Sequence, residues 1–364
     1  MKGSAVVGRK EGFSYAPEGK PGPVVKKGEF IFAAMHLNHA HIYGMCRGLI
    51  EAGAELCAVY DPDPNQVKSF LEHFPAVEVA RTEEQILTDR RISLVAAADV
   101  PDRRAALGFR VIEHGKDYFT DKAPFTRMEQ LQEARRKVEE TGRKYMVYYS
   151  ERIHVECAVF AGRLIDEGAI GRILQVLGLG PHRLNAPGRP SWFFRKKHYG
   201  GILCDIGSHQ IEQFLSFSGA SDAEVLRART ANYAHPGYPE FEDFGEASLV
   251  GNNGAGNYFR VDWFTPAGLS TWGDGRTFIL GTEGTIELRK YVNLAVEPTA
   301  DHLFLVNADG ERHLSLAGKV GYPFFGRLIL DCLNRTEQAM TQAHAFKAAE
   351  LCLKAQALAN RSRL

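Results

Sequence analysis

The sequence predicts an α/β protein of two units: a doubly wound parallel sheet, followed by an α/β region with a largely antiparallel open sheet. Three observations predict it. Between Gly28 and Tyr149, apolar strand-like runs alternate with helix-periodic runs, the pattern of parallel sheets covered by helices on both faces. Beyond Glu224, β-type runs follow one another directly, some separated by glycine-rich turns such as Gly251-Asn252-Asn253-Gly254, as in antiparallel sheets. The length of 364 residues exceeds what one hydrophobic core ordinarily organises.

Each element has its own signal. Residues 1–27 are rich in Gly, Pro and Lys and read as an extended arm. Phe30–Met35 is a buried-type strand, and Ile42, Met45, Leu49 and Ile50 mark one face of a helix ending at Gly53. Glu55–Tyr60 is a strand closed by Asp61. Asp63-Pro64 opens a helix, with Asp as cap and Pro in the first turn. Thr82-Glu83-Glu84-Gln85 is a capping box. Ser93–Ala98 and Asp117–Thr120 are strands on either side of a helix from Arg103 to His114. A second capping box at Thr126–Glu129 starts a helix that stops near Gly142, and Tyr145–Tyr149 is the last strand of this half. This is the layout of a Rossmann-like domain over residues 28–150, where ligands bind beyond the carboxyl ends of the strands. The second domain spans 151–364. It holds a helix over Val155–Glu167, a strand over Ile173–Gly180, a long loop from Pro181 to Tyr199 and a helix from Gly200 onward. Six β-type runs then lie between Glu224 and Val306, and helices Phe324–Asn334 and Gln342–Asn360 close the chain.

Composition excludes several function classes. Lys+Arg and Asp+Glu both number 44, so nothing global favours nucleic acid or an anionic membrane surface. No apolar run approaches the ~20 residues of a membrane span. Lys2, Arg9 and Lys10 are followed by no apolar segment, so no signal peptide is expected. The six cysteines are scattered without a C-x-x-C, which suits reduced thiols in the cytoplasm.

The first strand, turn, helix and acid-terminated strand form a dinucleotide-binding layout. Asp61 lies 26 residues after Met35, where a carboxylate would grip ribose hydroxyls. No Arg stands beside it for a 2′-phosphate, so NAD is favoured over NADP. The G-x-G-x-x-G fingerprint is absent: the turn reads Met35-His36-Leu37-Asn38-His39-Ala40-His41, with no glycine before Gly44. Leu37, Asn38 and His39 are therefore the turn residues expected at the cofactor, with Asn38 as helix cap and side-chain donors from Asn38, His39 or His41 replacing backbone contacts. His36, His39 and His41 raise a metal reading, but no Cys or carboxylate lies close by in sequence to complete a site, and no metal is expected. Gly200-Gly201-Ile202-Leu203-Cys204-Asp205-Ile206-Gly207-Ser208-His209 places Asp205 and His209 four apart on a helix, where a carboxylate can orient an imidazole. Such a pair in isolation is most often structural.

Asp121-Lys122-Ala123-Pro124, after the Asp117–Thr120 strand, resembles the Glu-Lys-Pro motif of the Gfo/Idh/MocA family (glucose–fructose oxidoreductase, inositol dehydrogenase and relatives). Gly200–His209 resembles that family's second signature, a glycine pair followed by Asp-x-Gly-x-His, and Tyr145–Tyr149 followed by Arg152 resembles its crossover into the second domain. The resemblance covers residues 28–360. It departs in Ala123, where the motif normally has Pro, and in the missing glycines. It implies a nicotinamide cofactor at the domain junction, a sugar, cyclitol or derivative as substrate, and a homodimer or homotetramer. It also implies catalytic roles for Lys122, Asp205 and His209, with Lys122 touching both nicotinamide ribose and substrate. An imidazole to take a hydroxyl proton, beside an ammonium that stabilises alkoxide charge, suits oxidation of a secondary alcohol. The loop from Pro181 to Tyr199 offers His182, Arg183 and Trp192 for substrate contact, and its basic content suits an acidic or phosphorylated sugar. Trp263 and Trp272 are read as packing residues. The leading expectation is an NAD-dependent oxidoreductase. Competing readings are a lyase or glycosidase that oxidises a sugar carbon transiently, a non-catalytic nucleotide-binding sensor and, more remotely, a zinc hydrolase.

Overall fold

The structure is a computed structural model and describes Tyr15 to Arg361. Its first sheet contains β1 (Ile31–Met35), β2 (Glu55–Tyr60), β3 (Glu78–Val79), β4 (Leu94–Ala97), β5 (Asp117–Asp121) and β6 (Tyr145–Tyr148). The strands are all parallel in the order β3-β2-β1-β4-β5-β6. Helices α1 (His41–Glu51), α2 (Pro64–His73), α3 (Glu83–Thr88), α4 (Pro101–Glu113) and α5 (Met128–Thr141) connect them. The order reverses between β1 and β4, which opens a crevice at their carboxyl ends. β4, β5 and β6 are buried at every position, as parallel strands covered on both faces must be.

The chain continues through α6 (Ser150–Ile153) and α7 (Glu156–Asp166) into β7 (Ile173–Pro181). Then come α8 (Lys196–Tyr199), α9 (Ile202–Asp205) and α10 (Gly207–Ser218). β8 (Ala223–Ala231), β9 (Phe244–Gly251), β10 (Gly256–Asp262), β11 (Arg276–Gly281), β12 (Gly284–Arg289), β13 (His302–Asn307) and β14 (Gly310–Ser315) follow. The chain closes with α11 (Pro323–Asn334) and α12 (Gln342–Arg361). The second sheet has the order β14-β13-β12-β11-β7-β10-β9-β8 and is antiparallel except between β7 and β10. α10 packs on β7, β9 and β10, and α12 on β8. In β9 buried and half-buried residues alternate strictly, so one face is covered and the other is open.

The local signals hold with adjustments. Asp63 caps α2 by accepting the Asn65 N–H at 2.9 Å. Thr82 Oγ1 accepts the Gln85 N–H, while Gln85 returns its side-chain carbonyl to Arg81 N. The second capping box is shifted: α5 starts at Met128, and Gln130 rather than Glu129 reaches back, to the N–H groups of Thr126 and Arg127. The helix expected from Gly200 divides after Asp205 into α9 and α10. The loop after β7 folds into two 3-10 turns and α8. The described part of the arm lies on the body of the protein, with Val24 N bonded to Ala52 O at 2.9 Å; its residues 1–14 lie outside the described residues. α1 meets α11 where Gly48 leaves room for Phe325: a Cβ at Gly48 would sit 2.3–2.5 Å from that ring. Among the described residues, no helix is long and apolar enough to cross a membrane.

Candidate active site

A cavity of about 440 Å³ lies at the crevice, between the β1–α1 turn, the end of β5, α9 and the loop after β7. A larger hollow of about 690 Å³ beside the arm, α7 and α11 gathers no comparable set of reactive groups.

The β1–α1 turn works without glycine. His36 takes the left-handed conformation (φ 52°), which costs a non-glycine residue on the order of 1 kcal/mol. Its ring is held by Glu83 at 3.0 Å and lies 3.5 Å from Asp99. Asn38 donates its side-chain amide to Asp99 Oδ1 at 3.2 Å. It does not cap α1, which starts at His41 after Ala40. Asp61 accepts the N–H groups of Leu37 (2.6 Å) and Asp63 (2.8 Å). The Leu37 N–H therefore faces Asp61 rather than a phosphate, while each Asp61 oxygen keeps one further acceptor position. A dinucleotide fits this donor set. Asp61 follows β2 beside the crevice, and the turn into α1 presents Asn38, His39 and His41 to the cavity in place of bare backbone.

Asp121, fully buried at the end of β5, organises the floor. It lies 2.8 Å from His41 Nδ1, 3.2 Å from His39 Nδ1 and 3.2 Å from Arg104 Nη2, and it accepts the Lys122 N–H at 2.8 Å. The sequence reading found no carboxylate near these histidines; the fold brings one from 80 residues away, and the three residues form a possible metal-ligating group. The Arg104 guanidinium and the Lys122 N–H already fill acceptor positions of that carboxylate, which opposes a cation there. Burial lowers the His39 pKa well below its usual value, reinforced by His41 and opposed by Asp121. Arg104 also donates to the carbonyls of Asp99 (2.6 Å), Lys122 and Ala123 (3.2 Å). The guanidinium thus holds the Lys122–Ala123 segment where the motif's proline is absent.

Lys122 Nζ bonds Asp205 Oδ1 across the cavity. Burial would raise the Asp205 pKa, but the Lys122 ammonium outweighs it and the net shift is downward. Asp205 therefore serves Lys122, and no bond joins it to His209. His209 is set deeper, with its ring 6.4 Å from that of His41 and its Nδ1 buried without a partner. Desolvation lowers its pKa to about 3, against the opposing pull of Glu151. Glu151 bonds Lys290 at 2.7 Å and Gln210 at 3.0 Å. Glu151 is a site residue that sequence alone does not single out; its one signal is an acidic residue three positions past β6.

Glycines set these distances. Gly200 and Gly201 both have positive φ (86° and 98°), but what approaches them is protein rather than ligand. A Cβ on Gly201 would lie 2.2 Å from the Gln356 amide, and one on Gly200 3.0 Å from Thr126. On β7, Gly178 and Gly180 make room for the Gln210 amide, which lies 2.3 and 2.9 Å from where their Cβ atoms would stand. α10 thereby seats directly on the sheet.

His182 lines the cavity, with ring centroids 4.5 Å from Trp272 and 5.4 Å from Trp263. Burial lowers its pKa to about 4. Trp192 lines the same wall, and so does Trp272, which is exposed rather than a packing residue; Trp263 borders the cavity while packing in the core as expected. Arg183 also borders the cavity, but one of its terminal nitrogens donates to the carbonyls of Pro266, Leu269 and Thr271. Its visible task is to fold the loop that carries Trp272.

Residues 32–149 match the profile described as "Oxidoreductase family, NAD-binding Rossmann fold", and residues 159–287 that of the GFO/IDH/MocA C-terminal domain. A solved chain from Erwinia carotovora atroseptica SCRI1043, itself only provisionally described as an oxidoreductase, is 53% identical. It covers 91% of this chain and 99% of its own length, with a TM-score of 0.88. The scyllo-inositol 2-dehydrogenase (NAD(+)) of Bacillus subtilis (strain 168) is 27% identical over 64% of this chain and 66% of its own. The D-xylose dehydrogenase of Paenarthrobacter nicotinovorans is 26% identical over 40% of this chain and 38% of its own. The alignments thus span 38% and 66% of these two curated relatives.

Proposed function

The chain belongs to the Gfo/Idh/MocA family of NAD-binding oxidoreductases, and on that premise we propose that it moves hydride between NAD and a secondary alcohol of a sugar, cyclitol or related polyol. Residues 28–150 would hold the cofactor and 151–364 the substrate. The observation that carries the reading is the Lys122–Asp205 pair at the cavity, with His209 neutral behind it. When bound, NAD supplies the hydride acceptor; the remaining chemistry falls to side chains. The Lys122 ammonium contacts the reacting hydroxyl and stabilises alkoxide charge. Asp205 fixes the direction of that ammonium. His209 is the acceptor for the hydroxyl proton, and Glu151 stabilises the imidazolium that forms. Asn38, His39 and Asp61 hold the dinucleotide, with Leu37 tying the turn to Asp61. His182 and Trp192 face the polyol. The curated relatives named for xylose and scyllo-inositol support a polyhydroxylated substrate. We also propose a homodimer or homotetramer joined through the open face of the second sheet, and a cytoplasmic location in keeping with six unpaired cysteines.

The test is NAD titration of the purified protein, followed by a sugar and cyclitol screen that measures NADH formed per substrate consumed. Stoichiometric NADH, lost in Lys122→Met while NAD still binds, supports the proposal. Substrate consumption without NADH would replace it with transient-oxidation chemistry.

A further inference from the structure

Arg189 stands apart from the other charged groups around the cavity. Lys122 is paired with Asp205, and Arg104 with Asp121 and three carbonyls. Arg183 is engaged by three carbonyls. Arg189 is different. It lines the cavity, and its Nε donates to Leu184 O at 2.9 Å. Its guanidinium carbon stands 4.6 Å from the centroid of Phe193 and 5.1 Å from that of Trp263. Its two terminal nitrogens meet no carboxylate or carbonyl among the described residues. Asp205, the only carboxylate on the cavity wall among the described residues, is already bonded to Lys122. Burial pulls the Arg189 pKa down, opposed by Asp205, and the half-buried guanidinium has no carboxylate partner among the described residues.

A guanidinium stacked on two rings is fixed in orientation and presents its outer edge for bidentate recognition of a planar anion. Resting on the polyol reading above, we infer that the substrate carries a carboxylate, as in an aldonic or uronic acid, and that Arg189 binds that group. The remaining hydroxyl-bearing carbons then extend toward Lys122. The aromatic wall of Trp192, Trp263 and Trp272 meets their C–H faces. The carboxylate would supply the counter-charge that Arg189 lacks among the described residues.

The test uses the full chain saturated with NAD. Tryptophan fluorescence reports binding, since Trp192, Trp263 and Trp272 all line the cavity, and NADH formation reports turnover. D-gluconate, D-glucuronate and D-galacturonate are compared with D-glucose, D-galactose, myo-inositol and glucose 6-phosphate. The expected result is that at least one acid binds more tightly than its neutral counterpart. Arg189→Ala should weaken that acid roughly 10- to 100-fold, the range of a charge-assisted bidentate contact, with NAD affinity unchanged. Arg189→Lys should retain part of the effect, and it keeps the test valid if the alanine variant folds poorly. If NAD binds but the neutral or phosphorylated compounds are preferred, or no acid binds, the inference is overturned while the oxidoreductase reading stands. An equal affinity for acids in wild type, Arg189→Ala and Arg189→Lys overturns it too. Failure to bind NAD would instead strike the underlying reading.

Discussion

Replacing His209 with Gln tests the buried imidazole directly. In the fold its pKa is lowered from 6.5 to about 3; in the unfolded chain it returns to the usual value. A histidine with a depressed folded pKa contributes stability that is complete above the unfolded pKa and is lost as pH falls below it. The window therefore runs downward from about pH 6.5, with a slope near 1.4 kcal/mol per pH unit from this one group. At about pH 4.5 the loss reaches roughly 3 kcal/mol, two pH units at that slope. The assay is urea unfolding of wild type and His209→Gln at about pH 7.5 and pH 4.5, with the pH-induced changes compared. His182 and His154, each lowered to about 4 by burial, contribute to both proteins and cancel in the comparison. Wild type should lose roughly 3 kcal/mol more than the variant on acidification. Equal losses would show that His209 is not a desolvated neutral imidazole, and its assignment as proton acceptor would lose its physical basis.

Other perturbations probe the remaining parts. Asp61→Ala removes the acceptor for the Leu37 and Asp63 N–H groups, so NAD affinity should fall about tenfold or more, a loss of at least one hydrogen bond to a charged group; isothermal titration reads it. Arg183→Ala should destabilise the protein by about 1–3 kcal/mol through three orphaned carbonyls, and Trp272 emission should shift as its loop loosens. An unchanged melting curve would contradict that structural role. Gly48→Val should cost about 1–3 kcal/mol by overpacking against Phe325, seen as a lower denaturant midpoint.

Much of this architecture is legible in the sequence because its physics is local. Phe30–Met35 and Ser93–Ala98 are apolar throughout, and Asp63-Pro64 carries its own cap. β3 and β14 are not legible. Glu78–Val79 has two exposed residues, and the Gly310–Ser315 strand lies largely in solvent with no apolar alternation to reveal it. Lys122, Asp205 and His182 can be picked out by chemistry and motif, and the fold gathers them on one cavity. Their partners cannot. Spacing alone pairs Asp205 with His209, yet the chain folds Lys122 onto Asp205 from 83 residues away. Asp121 meets His39 and His41, and Trp272 meets His182, only through tertiary structure.

The seat of Gln210 on Gly178 and Gly180 amounts to a mechanical reference surface. His209 is the residue beside the one that touches the strand, so its depth is gauged through the Gln210 amide resting on bare strand backbone. Two absent Cβ atoms thus leave the space that this amide fills. A side chain at either position would meet the Gln210 amide first, and that amide would have to yield before the imidazole moved.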